Sequence, residues 1–295
     1  MVWGAQLFFL PSQWGEPVRR MYFLTAILAK SVFLVCVVII TMIAHQLLLH
    51  GQIEPEFFTH PVFYSVIAFV FCIVAVLQTI AQIVRITGGR VLINFILGKY
   101  HTPVSEERIF MFLDLVGSTQ LAERLGDIGV QTMITRFFFD ISEPIIEFGG
   151  EIHRYIGDQV VIIWPLDKGA NILRAILCYF AIFAKATKIA PDYEREFGSA
   201  LTFRVGLHGG PVVVSECGDF KQELVYYGNS VNTAARIEQQ CKAFDCSFLV
   251  SGDLINRIDL PNTLSAQSKG VVQLRGLKTE TELFTIVPSS ISAIG

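Results

Sequence analysis

The sequence is short of charge. Only 17% of its 295 residues are Asp, Glu, Lys or Arg, against roughly 25% in an average soluble domain. With 52% apolar residues, this excludes the charge-rich, apolar-poor composition of a disordered chain and argues against a purely soluble protein. Cysteine is sparse as well. The six residues Cys36, Cys72, Cys178, Cys217, Cys241 and Cys246 include no C-x-x-C pair, so neither a disulfide framework nor a zinc site is indicated, and ordinary buried thiols are expected. The charge deficit is also uneven. The first 100 residues hold six of the 23 Lys/Arg and three of the 26 Asp/Glu, leaving 17 basic and 23 acidic residues beyond them, so a sparse part of net +3 precedes a part of net −6.

From Met21 to Leu49 the only formal charge is Lys30, and from Phe57 to Val84 there is none. Each run exceeds the roughly 20 apolar residues that cross a bilayer core, and neither carries the polar stripe of a helix packed in a soluble core. A membrane anchor of two transmembrane helices is expected over 21–84. A secretory signal fits less well, because the first run is longer than an apolar signal core of about 7–15 residues and lacks a small-residue cleavage site. Residues 1–20, with Trp3, Phe8, Phe9 and Trp14, are expected to form a cytoplasmic or interfacial segment. Arg19 and Arg20 precede the first span, Arg85, Arg90 and Lys99 follow the second, and the loop between has Glu54 and Glu56 but no Lys or Arg. The positive-inside rule then places the loop outside and both termini in the cytoplasm. A linker over 85–104 contains Gly88-Gly89, which favours a broken helix over a rigid rod.

Beyond the linker, three segments carry chemistry-bearing side chains. Ile109–Leu113 is an apolar run of strand length ending in Asp114, followed by Val116-Gly117-Ser118-Thr119 and a helical pattern at Leu121, Ala122 and Leu125. A carboxylate at a strand end, beside a small-residue turn that opens a helix, offers a metal ligand next to amides able to hold phosphate. Asp114 alone would serve equally as a helix cap. In the second segment, Glu151–Ile156 and Gln159–Trp164 are β-prone runs around Gly157-Asp158, a composition suited to a two-residue hairpin turn. If the hairpin pairs beside the first strand, Asp158 meets Asp114, and two converging carboxylates call for a cation, usually Mg²⁺ where phosphate is the substrate. In the third segment, Asn229 or Ser230 starts a helix on which Ala234, Ile237, Cys241 and Phe244 share one face and Asn232 and Arg236 the other. An Asn and an Arg one turn apart can orient a sugar hydroxyl and neutralise a phosphoryl group, although such a pair is also ordinary for a solvated surface.

Together, Phe110–Thr119, Gly149–Asp158, Arg204-Val205-Gly206-Leu207-His208-Gly209-Gly210 and Gly228–Arg236 resemble the class III nucleotide cyclases in order, spacing and flanks. The likeness covers residues 105–288, and Gly98-Lys99-Tyr100-His101 with Glu106-Glu107-Arg108 resembles the approach to the domain in bacterial membrane-bound members. The resemblance implies an α+β, ferredoxin-like catalytic domain that forms a head-to-tail homodimer with each site shared between protomers. It implies that Asp114 and Asp158, assisted by the Leu115 carbonyl, bind two Mg²⁺ or Mn²⁺ ions per active site. Asn232 and Arg236 come from the other protomer as catalytic residues, and Val116, Gly117, Ser118 and Thr119 hold the outer phosphates, with Lys278 as a further phosphate contact. The implied activity is conversion of ATP to 3′,5′-cyclic AMP and pyrophosphate at the inner face of the cell membrane. The lipid bilayer is a partner, and no nucleic-acid partner is expected.

Two positions depart from the family pattern. Where adenylate cyclases have a Lys and an Asp or Thr to read the purine, this chain has Arg154 and Val225, and Val225 offers no acceptor. A one-residue gap would put Tyr226 there instead. Guanylate cyclases have Glu and Cys at these places, so ATP is favoured, with a guanylate cyclase as the alternative. A second alternative is a catalytically silent nucleotide-binding regulator of the same fold. A diguanylate cyclase is disfavoured because Gly149-Gly150-Glu151-Ile152 lacks a second acid. His208 lacks a partner motif and is expected to be structural.

Overall fold

The computed structural model describes residues 23–52, 56–167, 169–276 and 280–289. Its contacts divide the chain into two units, Met1–Leu97 and Gly98–Gly295. In the first, α1 (Phe23–His50), α2 (Glu56–Thr59), α3 (Pro61–Thr87) and α4 (Gly89–Ile96) follow one another, and α1 packs on α3. The stretches Ile27–His50 and Pro61–Val84 are each 24 residues long, with only 6% of their most apolar windows buried. Helices that apolar in a soluble core would be covered by protein, whereas these leave Phe33, Ile40, Phe69 and Val76 outward, so both are long and apolar enough to cross a bilayer. Pro61 suits the first turn of α3 because its missing N–H would have no helical partner there, and His60 Nδ1 accepts from the Val62 N–H at 3.3 Å. The helix ends at Gly88, whose φ of 85° is a left-handed conformation that a side chain would oppose. The expected segment 1–20, with its aromatic residues, lies outside the described residues.

The cysteines correct one expectation. Only Cys178 and Cys241 are buried, while Cys36, Cys72 and Cys217 are exposed and Cys246 is intermediate. Cys36 and Cys72 lie on the apolar helices α1 and α3, where an outward position needs no burial inside protein.

The second unit is built on β1 (Val104–Leu115), α5 (Ser118–Glu147), β2 (Glu151–Ile156), β3 (Gln159–Pro165), α6 (Ala170–Phe197) and β4 (Phe203–Cys217). The strand order β2-β3-β1-β4, antiparallel throughout, is the ferredoxin-like arrangement. The described chain adds β5 (Glu223–Tyr227), α7 (Asn229–Gln240), β6 (Phe248–Ser251), α8 (Gly252–Ile255), β7 (Leu264–Gln273) and β8 (Glu280–Pro288). β6, β8 and β7 widen the sheet beyond β4, and β5 forms a hairpin with the far end of β4.

Side chains alternate across a strand, and β1 shows what that does here. Ile109, Met111, Leu113 and Leu115 enter the main core with Phe137 and Ile141 of α5 and Ile176 and Ile182 of α6. Arg108, Phe110, Phe112 and Asp114 therefore face the opposite side, where α7 lies across β4 and β1. The approach is close. A Cβ on Gly206 would sit 2.3 Å from the Glu238 amide nitrogen, so glycine is required there for proximity and not for backbone conformation.

The residues before β1 are tied to the sheet by a polar cluster. Tyr100 is buried, and its hydroxyl accepts from Arg108 Nη2 at 3.1 Å and Lys99 Nζ at 3.0 Å while lying 3.1 Å from a Glu106 carboxylate oxygen. The Glu216 N–H donates to the Tyr100 carbonyl at 3.0 Å.

Candidate active site

Asp114 is brought to the end of β1 by an apolar strand that ends where α5 begins, and is only half-buried there. Ile156 pairs with Gln159, so Gly157 and Asp158 form the two-residue turn between β2 and β3, and the glycine takes φ of 62°. Because β3 pairs with β1 and Gln159 lies opposite Asp114, the turn places Asp158 beside the end of β1. The Leu115 N–H donates to the Asp158 carbonyl at 3.3 Å. The two carboxylates thus converge on one point from segments 44 residues apart in the chain.

Their electrostatics are unfavourable as they stand. Burial, then the charge of Asp158, push the Asp114 carboxyl up to about 6, opposed by Arg204, which lies directly across on β4. Glu238, on the inward face of α7, is buried and is raised to about 7 by burial and then by Asp114. Negative charge concentrated in a partly desolvated place is relieved by a cation. Asp114 and Asp158 supply hard oxygen donors suited to Mg²⁺ or Mn²⁺, and no cluster of three or more His, Cys, Asp or Glu side chains able to hold a metal occurs among the described residues. Ions held by these two carboxylates would take their other ligands from backbone, water and substrate, as Mg²⁺ commonly does.

Beside the carboxylates, Gly117 adopts φ of 78° at the start of α5, and no side chain caps that helix end. Ser118 Oγ donates to Asp158 Oδ2, which fixes the turn against the helix. The Val116 amide is engaged with the Thr202 carbonyl at 2.9 Å, so it does not join the phosphate-facing set expected over Val116–Thr119. The amides of Gly117, Ser118 and Thr119 stand at the uncapped end, where the helix dipole favours an anion.

On α7 the expected division of faces is present. Ala234 and Ile237 are fully buried; Ile237 clusters with Cys241 at the helix end, and Phe244 packs against that cluster beyond the helix. Asn232 is exposed and Arg236 half-exposed, with Arg236 Nη1 3.3 Å from Gln239 Oε1. Among the described residues neither forms a hydrogen bond or ion pair with Asp114 or Asp158.

Arg154 projects from β2 just after a register shift at His153 and pairs with Glu223 on β5. Val225 is on the same face of β5 as Glu223, two residues along. Tyr226 is on the other face, edge-on to Phe110 at 5.7 Å and to His153 at 4.9 Å between ring centres, so it does not take the place of Val225. His208 is buried, its Nδ1 2.8 Å from Ser251 Oγ, and burial lowers it to about 4. Lys278 lies outside the described residues. Glu238, Arg204 and Glu223 had not been singled out from the sequence. Glu238 falls one turn after the buried Ala234, and that phase was its available signal.

Known proteins resemble this chain in sequence and fold. The adenylate and guanylate cyclase catalytic domain family matches residues 102–288. Adenylate cyclase 2 of Rhizobium meliloti is 33% identical over 216 residues, covering 73% of this chain and 60% of that protein. An adenylate cyclase of Anabaena cylindrica is 24% identical, covering 52% of this chain and 31% of its own. The chain thus spans less than two thirds of the length of either relative. Among solved structures, the adenylyl cyclase CyaB from P. aeruginosa superposes with a TM-score of 0.57 at 21% identity, covering 64% of this chain and 97% of that one. The guanylyl cyclase Cya2 gives 0.56 at 20% identity, covering 62% and 92%. With its sheet order, its paired carboxylates and a family match over most of the second unit, this chain belongs to the adenylate and guanylate cyclase catalytic domain family.

Proposed function

We propose that the protein is a membrane-anchored adenylate cyclase that converts ATP to 3′,5′-cyclic AMP and pyrophosphate as a homodimer. The observation that carries it is the convergence of Asp114 and Asp158 beside the uncapped start of α5. Bound Mg²⁺ or Mn²⁺ would neutralise the triphosphate and acidify the ribose 3′-hydroxyl. Asp114, Asp158 and the Leu115 carbonyl hold these ions, and the amides of Gly117–Thr119 take the outer phosphates. Asn232 and Arg236 of a second copy complete the site, which fits their outward position on α7. Asn232 orients the ribose, and Arg236 neutralises charge on the α-phosphoryl oxygens as the bond from O3′ forms and the bond to pyrophosphate breaks. The basic residues flanking the two apolar helices support a cytoplasmic catalytic domain and an external loop.

The test is to incubate detergent-purified protein with ATP or GTP and Mg²⁺ or Mn²⁺ and identify products by mass spectrometry, with Asp114→Ala as control. Cyclic AMP lost in the variant is expected, whereas no cyclic nucleotide from either substrate leaves a silent nucleotide-binding protein as the better description. Mixing Asp114→Ala with Arg236→Ala tests the shared site, because a mixed dimer regains one intact half-site pair. Mixed dimers that stay inactive would exclude the shared architecture.

A further inference from the structure

We propose that Cys241 and Cys246 form a redox-modifiable thiol pair, which hydrogen peroxide converts to an intramolecular disulfide. This site is independent of the nucleotide on which the protein acts. The two residues are brought together by the way α7 ends. Asp245 takes φ of 47°, a left-handed conformation that Asp accepts more readily than most residues. The chain there turns back so that the Cys246 N–H donates to the Cys241 carbonyl at 3.0 Å. A bond of this span around a left-handed residue is that of a Schellman helix ending, in which the side chains at its two ends commonly meet. Here both are thiols. With standard backbone dimensions the bond keeps the two Cα atoms within about 7 Å, the limit of what a disulfide spans without backbone movement.

Burial divides their roles. Cys241 is fully buried beside Ile237 and Leu249, while Cys246 is partly exposed. The Cys241 S–H has two acceptors, the Val205 carbonyl oxygen at 3.4 Å and the Cys246 sulfur. That thiol, then Lys269, hold Cys246 below its ordinary range against burial and Asp245, which favours the nucleophilic thiolate at the accessible member of the pair. Among the described residues the other cysteines of this unit face oxygen instead, Cys178 the Pro144 carbonyl and Cys217 the Ser215 hydroxyl. The Cys246 thiolate attacks one peroxide oxygen, the O–O bond breaks, and hydroxide leaves and takes up a proton to become water. Cys246 is then a sulfenic acid. The Cys241 sulfur attacks the Cys246 sulfur, its proton goes to the departing hydroxide, and a second water leaves as the S–S bond forms. The thiols lose two electrons in all and the peroxide gains them. Because the Cys241 hydrogen is consumed, its bond to Val205 is lost as well, one residue from Gly206, where α7 approaches β4 closely. In a reducing compartment such a disulfide is transient, as in redox-sensing proteins.

The experiment treats the folded full-length protein with hydrogen peroxide, blocks remaining thiols with iodoacetamide and digests with trypsin, which cuts after Lys242, between the two cysteines. Mass spectrometry should find the peptide Ile237–Lys242 joined to Ala243–Arg257, and dithiothreitol should part them. On a non-reducing denaturing gel the chain carrying this link should run as a monomer. Cys246→Ser should abolish the linked pair. In Cys241→Ala the Cys246 sulfenic acid should persist long enough for dimedone to trap it, and the pH profile of Cys246 alkylation should move upward as the hydrogen bond is lost. The wild-type digest is decisive without any variant having to fold. Both peptides recovered alkylated after peroxide would overturn the proposal, as would Cys246 linked to any cysteine other than Cys241 of its own chain.

Discussion

Replacing Gly206 by alanine tests whether the close seating of α7 on β4 positions Asn232 and Arg236. The added Cβ would stand 2.3 Å from the Glu238 nitrogen, 2.6 Å from the Ala234 carbonyl oxygen and 2.7 Å from the Glu238 Cα. All three atoms are backbone, so no side-chain rotation relieves the contact. Restoring an ordinary separation of roughly 3.5 Å requires the helix to move by about 1 Å. Overpacking of this kind costs about 1–3 kcal/mol, or about 2–12 °C in Tm for a domain of this size. A displacement of about 1 Å at a catalytic group costs on the order of 100-fold in rate. Gly149→Ala is the control. Gly149 has φ of 71° with nothing within 4 Å of an added Cβ, so alanine there carries only a left-handed backbone cost of about 1–2 kcal/mol and leaves α7 in place. Thermal unfolding and kcat measured on the folded fraction should show both variants destabilised but only Gly206→Ala slowed. Wild-type kcat in Gly206→Ala would refute the link between helix seating and catalysis.

Two further outcomes follow from the site and its support. In metal-free buffer the folded state binds a proton at Asp114 more tightly than the unfolded chain, because the carboxyl is raised from 3.8 to about 6. The stability from that proton is full below about pH 4 and lost as the pH rises through about 6. Asp114→Asn should therefore raise Tm over wild type at pH 7.5, with the gain shrinking between about pH 6 and pH 4, and Mg²⁺ should stabilise wild type more than the variant. Equal Tm at pH 7.5 without metal would remove the carboxylate repulsion from the account. Tyr100→Phe deletes the buried hydroxyl shared by Lys99, Glu106 and Arg108 and should cost about 1.5–3 kcal/mol. It should also speed hydrogen exchange at the Glu216 amide, which is bonded to the Tyr100 carbonyl. Unchanged exchange there would show that the cluster does not hold the segment before β1.

Much of this was legible locally. Gly157-Asp158 announces a turn because glycine adopts positive φ freely, and it forms one. The phase of Ala234 and Ile237 turns Asn232 and Arg236 outward on α7, as found. Other features depend on atoms distant in sequence. The Val116 amide is taken by Thr202, and nothing in Val116-Gly117-Ser118-Thr119 signals that loss. Ungapped alignment points to Val225 as the base-facing residue, yet Arg154 meets Glu223, 69 positions away in the chain, because the β4–β5 hairpin brings them together.

The sequence by itself determined the two apolar helices and the β1, β2 and β3 strands, since uninterrupted hydrophobicity and local turn chemistry act over neighbouring residues. It also determined the presence of the aspartates, the Asn and the Arg. Only the tertiary structure decided which groups share a space. It set Asp114 against Asp158, Arg204 and Glu238, left Asn232 and Arg236 without a hydrogen bond or ion pair to the carboxylates among the described residues, and paired Arg154 with Glu223. Burial and charge act through distance in space, which strand register and helix packing set and residue spacing does not.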